Sequence, residues 1–369
     1  MSNPRGIKVL IAGGGTGGHL FPALAIGETI MSEMPNATVH FVGSKFGIEA
    51  TTLPQRKLPH SLLPIRGFQR GLDGRSIGRN LLFPGRLIVA YLKAKSIIKQ
   101  LDPDIVVGTG GYASGLPLLA AVKSKIPTLI QEQNSYPGLV TRKMASKVDA
   151  VCLAFPEAKK YLESDSIFIT GNPVRKDIET GSAADGAQFF KLAEKRTTIL
   201  VFGGSQGSAA INKVIAILIP ALNTAGIQLI WQTGPTQYNH FDHFNSATIR
   251  VVPFIDEMPA AYALSQIVVC RAGALTLAEL ALCGKPAILI PLPSAAANHQ
   301  MWNAQTMADK GAAKVLSESN LTGESLTALL LKLTSDNQLL KEMSGQAAKL
   351  AKPDATEKIV NLISKMAQA

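Results

Sequence analysis

The sequence VLIAGGGTGGHLFPA (residues 9–23) decides the fold, because an apolar run, a glycine cluster and the start of a helix follow one another in it. The same order returns in the second half of the chain, in ILVFGGSQGSAAIN (residues 199–212). A glycine-rich turn at a helix N-terminus can hold a phosphate group with backbone N–H groups alone. Two such turns predict a two-domain enzyme with a diphosphate ligand in the cleft between its domains.

Short apolar runs alternate with helical stretches along the whole chain, for example ATVHFVG (37–43), DIVVGTGG (104–111) and IVVCRAG (267–273). Runs that are apolar over their whole length are typical of strands that helices cover on both faces. Strands that alternate with helices indicate βαβ units and parallel sheets. The two series of strands therefore predict an α/β protein with two Rossmann-like domains, separated in the polar stretch that begins near Asn172.

The excess positive charge of the chain lies in its first half. The 369 residues carry a formal net charge of +11; residues 1–176 hold 22 Lys and Arg against 11 Asp and Glu, whereas residues 177–369 hold 15 of each kind. Such asymmetry indicates an anionic partner: a membrane surface, a nucleic acid or an acidic substrate. A nucleic acid is disfavoured, because aromatic residues make up only 6% of the sequence and it contains no nucleic-acid-binding motif.

The first glycine loop satisfies the pattern GxGxxG at Gly13, Gly15 and Gly18, which is a weak signal alone. A dinucleotide site also needs an acidic residue at the end of the second strand, where this chain has Gly43 and Ser44. Neither glycine cluster continues into GKS or GKT, so a P-loop NTPase is disfavoured. The simpler alternative is that both loops only form tight turns, but such loops have no use for polar side chains. The polar residues in the two loops are Thr16, His19, Ser205 and Gln206.

A third candidate phosphate site lies in CRAGALTLAELALCGKP (residues 270–286), where a helix is predicted to begin near Ala274. A helix N-terminus carries about half a unit of positive charge, which suits a diphosphate. Thr276 lies in the first turn, and the carboxylate of Glu279 one turn further on can accept both hydroxyls of a ribose. Alternatively, Glu279 is an ordinary acid of an early helical turn. The three cysteines lie in apolar runs without CxxC spacing, which indicates reduced thiols packed as small hydrophobic residues. No cluster of Cys and His suited to a metal is visible in the sequence, so we expect no metal site, and we expect no cofactor.

Eight motifs follow one another over nearly the whole chain: GGGTGGHLFPALA, GTGGYASGLP, QEQNSYPGL, GNPVR, FGGSQGSAAIN, PFIDEM, CRAGALTLAE and NHQMWNA. Together they resemble the MurG family of bacterial N-acetylglucosaminyltransferases, which convert lipid I to lipid II in peptidoglycan synthesis. The resemblance implies a GT-B fold, in which two Rossmann-like domains face each other across a cleft and the C-terminal helix returns to the N-terminal domain. It implies an acceptor-binding and membrane-associating domain of residues 1–174 plus 353–369, and a UDP-GlcNAc-binding domain of residues 175–352.

The activity implied by the resemblance is metal-independent and inverting. GlcNAc would move from UDP-GlcNAc to the MurNAc 4-hydroxyl of lipid I, which is undecaprenyl-diphospho-MurNAc-pentapeptide. Two alternatives stay open: another GT-B enzyme that transfers a UDP sugar to a different acceptor, and a non-catalytic scaffold of the cell-wall machinery that keeps the nucleotide cleft. The joint presence of GGTGGH, EQN and a basic, apolar segment favours lipid I as acceptor, and the intact cleft motifs disfavour a scaffold.

On the donor side, the resemblance implies that the backbone of Ile255 recognises uracil and that Glu279 holds the ribose hydroxyls. The residues that it places against the diphosphate are Ser205, Gln206, Ala274, Leu275 and Thr276.

Three further residues are implied to contact or approach the sugar. Gln300 and Asn134 would bind GlcNAc hydroxyls, and Arg175 would lie close to the nucleotide sugar. The alternatives are a helix-capping Gln300, a turn-forming Asn134 and an Arg175 that is a plain surface charge. Two positions depart from the commoner family pattern: Gln131 stands where His is frequent, and Thr141 stands where Asn is frequent.

On the acceptor side, the resemblance places three residues of the first loop along the cleft, with His19 beside them. Those three residues are Thr16, Gly17 and Gly18. We expect His19 to be the general base, because an imidazole titrates near neutrality. Alternatively, His19 hydrogen-bonds a loop carbonyl or a phosphate and takes no proton. Glu132 is a rival base, which can equally orient Asn134.

The candidate membrane contact is the segment of residues 66–99, with eight Lys and Arg and one acidic residue. Basic residues beside an anionic leaflet contribute about 1 kcal/mol each, and a few inserted apolar side chains make the docking stronger. The predicted contact residues are Arg79, Leu81, Leu82, Phe83, Arg86 and Lys93. The alternative is that the apolar residues of a helix starting near Pro84 pack on the sheet; those residues are Leu87, Ile88, Tyr91 and Leu92.

The sequence predicts a protein that is soluble or lies on a membrane without crossing it. Its first residues carry no hydrophobic leader, and its longest apolar runs are too short to span a bilayer. The family resemblance implies a peripheral protein on the cytoplasmic face of the bacterial cell membrane. The expected partners are UDP-GlcNAc, lipid I, the anionic membrane surface and other cell-wall synthesis and division proteins.

Overall fold

The computed structural model describes residues 6–67, 83–175 and 177–368. The chain divides into two compact units: unit 1 contains Met1–Val174 and Pro353–Ala369, and unit 2 contains Arg175–Lys352. Each unit has its own sheet and its own hydrophobic core.

Within the described residues, unit 1 is built on a seven-stranded sheet whose neighbouring strands are all parallel. Its strands are β1 (Lys8–Gly13), β2 (Thr38–Ser44), β3 (His60–Leu63), β4 (Ile105–Gly110), β5 (Thr128–Glu132), β6 (Ala150–Leu153) and β7 (Ile167–Ile169). Their order in the sheet is β3-β2-β1-β4-β5-β6-β7. The predicted Rossmann-like parallel sheet is therefore confirmed for this unit.

Helices cover both faces of this sheet. They are α1 (Gly17–Glu33), α2 (Glu49–Gln55), α3 (Phe83–Leu101), α4 (Tyr112–Lys123) and α5 (Leu139–Met144), with a 3-10 helix at Pro156–Tyr161. Successive residues of a strand point to opposite faces, so Leu10 packs into the cluster that includes residues of α3 and α4. Its neighbours Val9 and Ile11 join the opposite cluster, with residues of α1.

Unit 2 repeats the plan with a six-stranded parallel sheet. Its strands are β8 (Thr198–Phe202), β9 (Gln228–Gln232), β10 (Ile249–Val252), β11 (Ile267–Cys270), β12 (Ala287–Leu289) and β13 (Ala313–Val315), in the order β10-β9-β8-β11-β12-β13. Its helices are α6 (Ala183–Phe190), α7 (Ala209–Thr224), α8 (Tyr238–Phe241), α9 (Met258–Leu264), α10 (Ala274–Leu282), α11 (His299–Asp309), α12 (Gly323–Ser335) and α13 (Asn337–Lys349). Short 3-10 helices lie at Asp242–Phe244, Ala296–Asn298 and Glu318–Asn320.

The chain then returns to unit 1 through its last helix, α14 (Ala355–Gln368). This helix packs against α1, and its Ile359, Val360 and Ile363 are buried in the same core cluster as Ile11 of β1. The predicted return of the C-terminal helix to the N-terminal domain is therefore confirmed.

The order of strands reverses at the centre of each sheet. In unit 1, β1 lies between β2 and β4; in unit 2, β8 lies between β9 and β11. In open parallel sheets, ligands bind beyond the carboxyl ends of the strands at such a reversal. The loops that follow β1, β4, β8 and β11 lie at these two positions, and they contain the glycine clusters of the sequence.

Candidate active site

The first glycine loop joins β1 to α1 and leaves Thr16 exposed. Helix α1 begins at Gly17, after Thr16, whose side chain makes no capping hydrogen bond. The amides of His19 and Leu20 already bond the carbonyl of Thr16. The first helical amides, those of Gly17 and Gly18, therefore face the end of the helix, where backbone donors suit an anion or a hydroxyl.

His19 lies between two loops at the reversal point of the unit 1 sheet. Its Nδ1 is 3.2 Å from Thr16 Oγ1, and its carbonyl accepts a hydrogen bond of 2.8 Å from Thr109 Oγ1. The imidazole packs on Gly110 and Gly111, where any Cβ would crowd the ring. Gly111 also has φ +74°, which favours glycine. The contacts with Thr16, Gly110 and Gly111 therefore fix the position of the ring, which a proton-accepting group requires.

Glu132, the last residue of β5, organises the loop that carries Asn134. Its Oε1 accepts hydrogen bonds from the backbone N–H and the side-chain amide of Asn134, at 3.0 and 3.1 Å. Its Oε2 accepts from the N–H of Gly138 at 2.9 Å and from Thr141 Oγ1 at 2.5 Å. Both oxygens of this buried carboxylate are therefore engaged, which favours an orienting role over that of a base.

A buried network of side-chain amides also supports the loop that carries Asn134. Gln131 donates to Asn172 Oδ1 at 3.1 Å, and Asn172 donates to the carbonyl of Gln133 at 3.1 Å. Gln133 in turn donates to Gln131 Oε1 and to the carbonyl of Thr109. Gln131 stands where histidine is frequent in the family, and here its amide works both as donor and as acceptor.

In unit 2 the second glycine loop joins β8 to α7, with Ser205 and Gln206 exposed on it. Ser208 caps the helix by accepting from the N–H of Ile211. Its hydroxyl also accepts a hydrogen bond of 2.7 Å from the buried guanidinium of Arg271. Arg271 forms an ion pair with Glu318 at 2.5 Å as well. The loop is thus fixed at its helical end, while its two polar residues face solvent.

Gln232, the last residue of β9, connects this loop to Ile255 and was not predicted as a site residue. Its side chain is buried; Nε2 donates to the carbonyl of Gly204 at 2.9 Å, and Oε1 accepts from the N–H of Ile255 at 2.9 Å. The N–H of Ile255 therefore donates to Gln232. If the backbone of Ile255 recognises uracil, it does so through its carbonyl. A polar residue at the end of a buried strand was the available sequence signal.

Helix α10 begins at Ala274, as the sequence predicted. Gly273 precedes it in an extended conformation and offers no side-chain cap, and the first turn contains no acidic residue. Leu275 and Thr276 are half-buried in that turn. A helix start without a side-chain cap presents backbone N–H donors and the positive end of the dipole, which is an arrangement that suits a phosphate.

Glu279 lies one turn further along α10. It is half-buried, and its Oε2 accepts a hydrogen bond of 3.0 Å from the hydroxyl of the buried Tyr262. Burial raises the pKa of the Glu279 carboxyl above its ordinary value, while the Tyr262 hydrogen bond and the positive charge of Arg175 act in the opposite direction. Arg175 is exposed, and its Nε lies 3.4 Å from Asp177 Oδ1. The structure therefore brings Arg175 within electrostatic range of Glu279.

Gln300 and its neighbour His299 begin helix α11. The Gln300 Oε1 accepts from the N–H of Leu292 at 2.9 Å, and the His299 Nδ1 lies 2.7 Å from the carbonyl of Ala296. Gln300 does not cap α11 through its side chain; it fixes the loop after β12 instead. Its amide Nε2 is a donor suited to a sugar hydroxyl.

Helix α3 exposes apolar side chains to solvent. Ile88, Val89 and Leu92 are 57–62% exposed, and Leu87 is 36% exposed. The alternative, in which Leu87, Ile88 and Leu92 pack on the sheet, is therefore wrong for these three residues, although Tyr91 is half-buried against the core. The residues of α3 that do pack on the sheet are Ala90, Ala94, Ile97 and Ile98. These small and β-branched residues bring the helix close to the strands and leave the larger side chains outside.

Basic residues accompany this apolar face. Arg86 is half-buried, while the exposed Lys93 donates from Nζ to the carbonyl of Leu62 at 2.9 Å. Exposed lysines follow at Lys95 and Lys99, which continue the spacing of Ile88 and Leu92 along the helix. Three other predicted membrane contacts, Arg79, Leu81 and Leu82, and the side chain of Phe83 lie outside the described residues.

Among the helices that the structure describes, none combines the length and the apolar content needed to cross a membrane. In the same part of the chain, no group of three or more His, Cys, Asp and Glu side chains is arranged to hold a metal ion.

Comparison with known proteins places the chain in a family. The model of the glycosyltransferase family 28 N-terminal domain matches residues 9–153, and that of the family 28 C-terminal domain matches residues 198–359. A Cytophaga hutchinsonii protein named UDP-N-acetylglucosamine--N-acetylmuramyl-(pentapeptide) pyrophosphoryl-undecaprenol N-acetylglucosamine transferase is 41% identical over 365 residues, which is 98% of both chains. A protein of the same name from Syntrophotalea carbinolica is 42% identical over 363 residues, covering 96% of this chain and 98% of the relative.

A solved structure agrees with these relatives. The crystal structure of Acinetobacter baumannii MurG superposes with a TM-score of 0.77 at 32% sequence identity, covering 97% of this chain and 99% of that one. This likeness extends over both units, and the fold is the GT-B type expected from the sequence. The chain is therefore a glycosyltransferase that belongs to family 28 and, within it, to the MurG family.

Proposed function

We propose that this protein transfers GlcNAc from UDP-GlcNAc to the MurNAc 4-hydroxyl of lipid I, which gives lipid II in peptidoglycan synthesis. The observation that carries the proposal is the pair at the start of α10: a helix N-terminus without a side-chain cap, followed one turn later by the half-buried Glu279. Helix amides suit a diphosphate and a carboxylate suits ribose hydroxyls, so the two together suit a nucleoside diphosphate sugar. The names of the relatives specify the same donor and acceptor.

Unit 2 holds the donor in this proposal. The carbonyl of Ile255 accepts from the uracil ring, Glu279 accepts from the ribose hydroxyls, and Arg175 lies near the nucleotide sugar. Backbone amides and polar side chains bind the diphosphate; the residues involved are Ser205, Gln206, Ala274, Leu275 and Thr276. They stabilise the negative charge that the leaving UDP acquires, which is the main electrostatic task of the reaction. Gln300 donates to a GlcNAc hydroxyl.

Unit 1 holds the acceptor. Thr16, Gly17 and Gly18 line its site, and Asn134, oriented by Glu132, contacts a GlcNAc hydroxyl. His19 takes the proton of the MurNAc 4-hydroxyl as its oxygen attacks the anomeric carbon. UDP leaves from the opposite face of the sugar, so an α-linked donor gives a β-linked product. The support for this role is the fixed position of the imidazole between two loops.

The protein docks on the cytoplasmic face of the bacterial cell membrane through α3. Its exposed Ile88, Val89 and Leu92 insert among the lipid head groups, and Arg86 and Lys93 attract anionic lipids. This places the enzyme beside the lipid-linked acceptor. Other cell-wall synthesis and division proteins are its expected partners.

An acceptor panel tests the proposal against a UDP-sugar transferase with another acceptor. UDP release from UDP-GlcNAc is measured with lipid I, with a lipid I analogue that lacks the MurNAc 4-hydroxyl, and without acceptor. Rapid release only with intact lipid I is expected. Release that does not depend on the 4-hydroxyl, or that needs a different acceptor, contradicts it.

A further inference from the structure

A fully buried carboxylate, Glu49, connects the two loops that follow β1 and β2. Its Oε1 accepts from the N–H of Ser44 at 2.7 Å, and its two oxygens share the N–H of Gly15 at 2.9 and 3.0 Å. The side chain is 0% exposed. Gly15 belongs to the candidate acceptor loop, whereas Ser44 ends the neighbouring strand β2.

The surrounding backbone leaves room for this carboxylate. A Cβ placed on Gly14, Gly43 or Gly47 would overlap the Glu49 side chain. Ser44 further fixes the second loop, since its Oγ donates to the carbonyl of Ile65 at 2.5 Å and accepts from the N–H of Phe46 at 3.0 Å. The position of the carboxylate is therefore determined from several sides.

Burying a carboxylate costs free energy, because desolvation disfavours its charge unless hydrogen bonds compensate. A buried apolar side chain could pack the same volume without that cost. What Glu49 provides instead is a charge-assisted acceptor that holds the amide of Gly15 from inside the protein. Gly15 has open space beside its Cα: apart from its chain neighbours, no described atom lies within 4 Å of the place where its Cβ would be.

We infer that Glu49 is a positioning residue of the acceptor site, an inference that rests on the proposed function. By holding Gly15, it sets the direction in which Thr16, Gly17 and Gly18 present their polar groups. Because the Gly15 amide donates to Glu49, it is not available to the acceptor. The helical amides of Gly17 and Gly18 are the donors of this loop that can bind the acceptor. Glu132 holds the loop of Asn134 in the same manner, with bonds from two backbone amides.

The test compares Glu49→Ala, Glu49→Gln and Gly47→Ala with the control Glu28→Gln. Glu28 is an exposed glutamate of α1 that pairs with Arg56 at the surface. Glutamine can keep an acceptor at the Oε1 position but sets an NH2 group against the Gly15 amide, so it should rescue part of the alanine defect. Gly47→Ala pushes the carboxylate without removing it.

For Glu49→Ala we expect the KM for lipid I to rise about tenfold or more, which is the size of one lost hydrogen bond to a charged group. The increase should be smaller for Glu49→Gln and Gly47→Ala. The Kd for UDP-GlcNAc should not change in any variant. A loss of kcat with both substrate affinities unchanged would mean a merely structural role and would overturn the inference.

Hydrogen exchange of the free protein gives a readout that does not need activity. Amides of residues 13–20 should exchange faster in the Glu49 variants than in Glu28→Gln, while those of residues 203–208 exchange at the same rate. Unchanged exchange at residues 13–20 overturns the inference even if the enzyme is active. Absence of product from the unmodified chain contradicts the proposed function alone, since the exchange result still decides what Glu49 does to the loop.

Discussion

The neighbours of His19 fix the position of its side chain. Its imidazole is placed by Thr16, by Gly110 and by Gly111, which come from two different loops. The sequence identified the residue because a histidine in a glycine loop has no use in a simple turn. If His19 is the base, its loss slows the chemical step. If His19 only binds a substrate, its loss weakens binding.

Replacement of His19 by alanine separates these roles. If His19 removes the proton of the acceptor hydroxyl, His19→Ala should lower kcat about 100-fold or more, which is typical of losing a general base. The Kd for UDP-GlcNAc should stay the same. Steady-state kinetics and calorimetry measure the two effects, with the exposed His240→Ala as control. An equal loss of turnover and of acceptor affinity would make His19 a ligand for the acceptor instead.

If Glu279 holds the ribose hydroxyls, the affinity for the donor should depend on pH. An ionised carboxylate accepts hydrogen bonds from hydroxyls more strongly than a neutral carboxyl does, and burial raises the pKa of Glu279. As the pH falls, this group is therefore protonated sooner than an ordinary glutamate. The Kd for UDP-GlcNAc should therefore rise as the pH falls, and the rise should begin at a higher pH than it would with an ordinary glutamate.

The variant Glu279→Gln, which cannot ionise, should bind UDP-GlcNAc more weakly and lose most of this pH dependence. Titration calorimetry of both proteins across the range measures it. An unchanged pH profile in the variant would show that another group causes the effect.

Gln232 should affect the affinity for the donor, although it does not contact the donor in the proposed site. Both ends of its amide are used, since one holds the carbonyl of Gly204 and the other holds the N–H of Ile255. Glutamate in its place cannot donate to Gly204, so Gln232→Glu should raise the KM for UDP-GlcNAc about tenfold. The KM for lipid I should not change. Gln188→Glu, at an exposed position of α6, is the control, and equal KM values in the two variants would contradict the role.

Some residues of the candidate site were beyond prediction from the sequence. Glu49 begins a short helix directly after Ile48 and has the appearance of an ordinary first-turn acid. Its burial follows from the contact of two loops that are more than thirty residues apart. Gln232 ends a buried strand, which is a sequence signal, but its two partners come from different parts of the chain and could not be inferred from it. The start of α10 at Ala274, by contrast, is local in sequence and was predicted, while the role of Glu279 stays a prediction.

At the scale of elements, the apolar runs identified the central strands, whereas two strands at or near the sheet edges were missed. These are β3, with the sequence HSLL, and β13, with the sequence AKV. An edge strand has one neighbour and one accessible side, so it tolerates polar residues and short length. β3 and β13 are both edge strands of their sheets, and neither has the continuous apolar run that is typical of a central strand.

Helix α3 is the element whose exposed face carries the membrane proposal. The double variant Ile88→Glu/Leu92→Glu should reduce binding to vesicles of anionic phospholipid about tenfold or more, since it removes inserted apolar area and adds repulsive charge. UDP-GlcNAc affinity should not change. Sedimentation with vesicles measures the binding. Ile217→Glu, at a 66% exposed isoleucine of α7, is the matched control and should bind like the unmodified protein.

At the scale of the whole molecule, the chain leaves unit 1 once and returns to it with α14. The buried Ile359 of this helix is 0% exposed and belongs to the core that covers β1. Ile359→Ala should therefore lower the free energy of unfolding of unit 1 by about 2–4 kcal/mol. Denaturant unfolding measures the loss, with the exposed Asn361→Ala as control. Equal stability of the two variants would show that the returning helix adds little to unit 1.

The proposed reaction forms one glycosidic bond, and the chemical structure of the product shows which atoms that bond joins. The purified protein is incubated with UDP-GlcNAc and lipid I, and the sugar product is characterised by mass spectrometry and by NMR of its anomeric proton. We expect a GlcNAc joined to the MurNAc 4-hydroxyl in the β configuration, with one UDP released for each bond formed. A product with the α configuration, a bond to another acceptor atom, or UDP release without a disaccharide would contradict it.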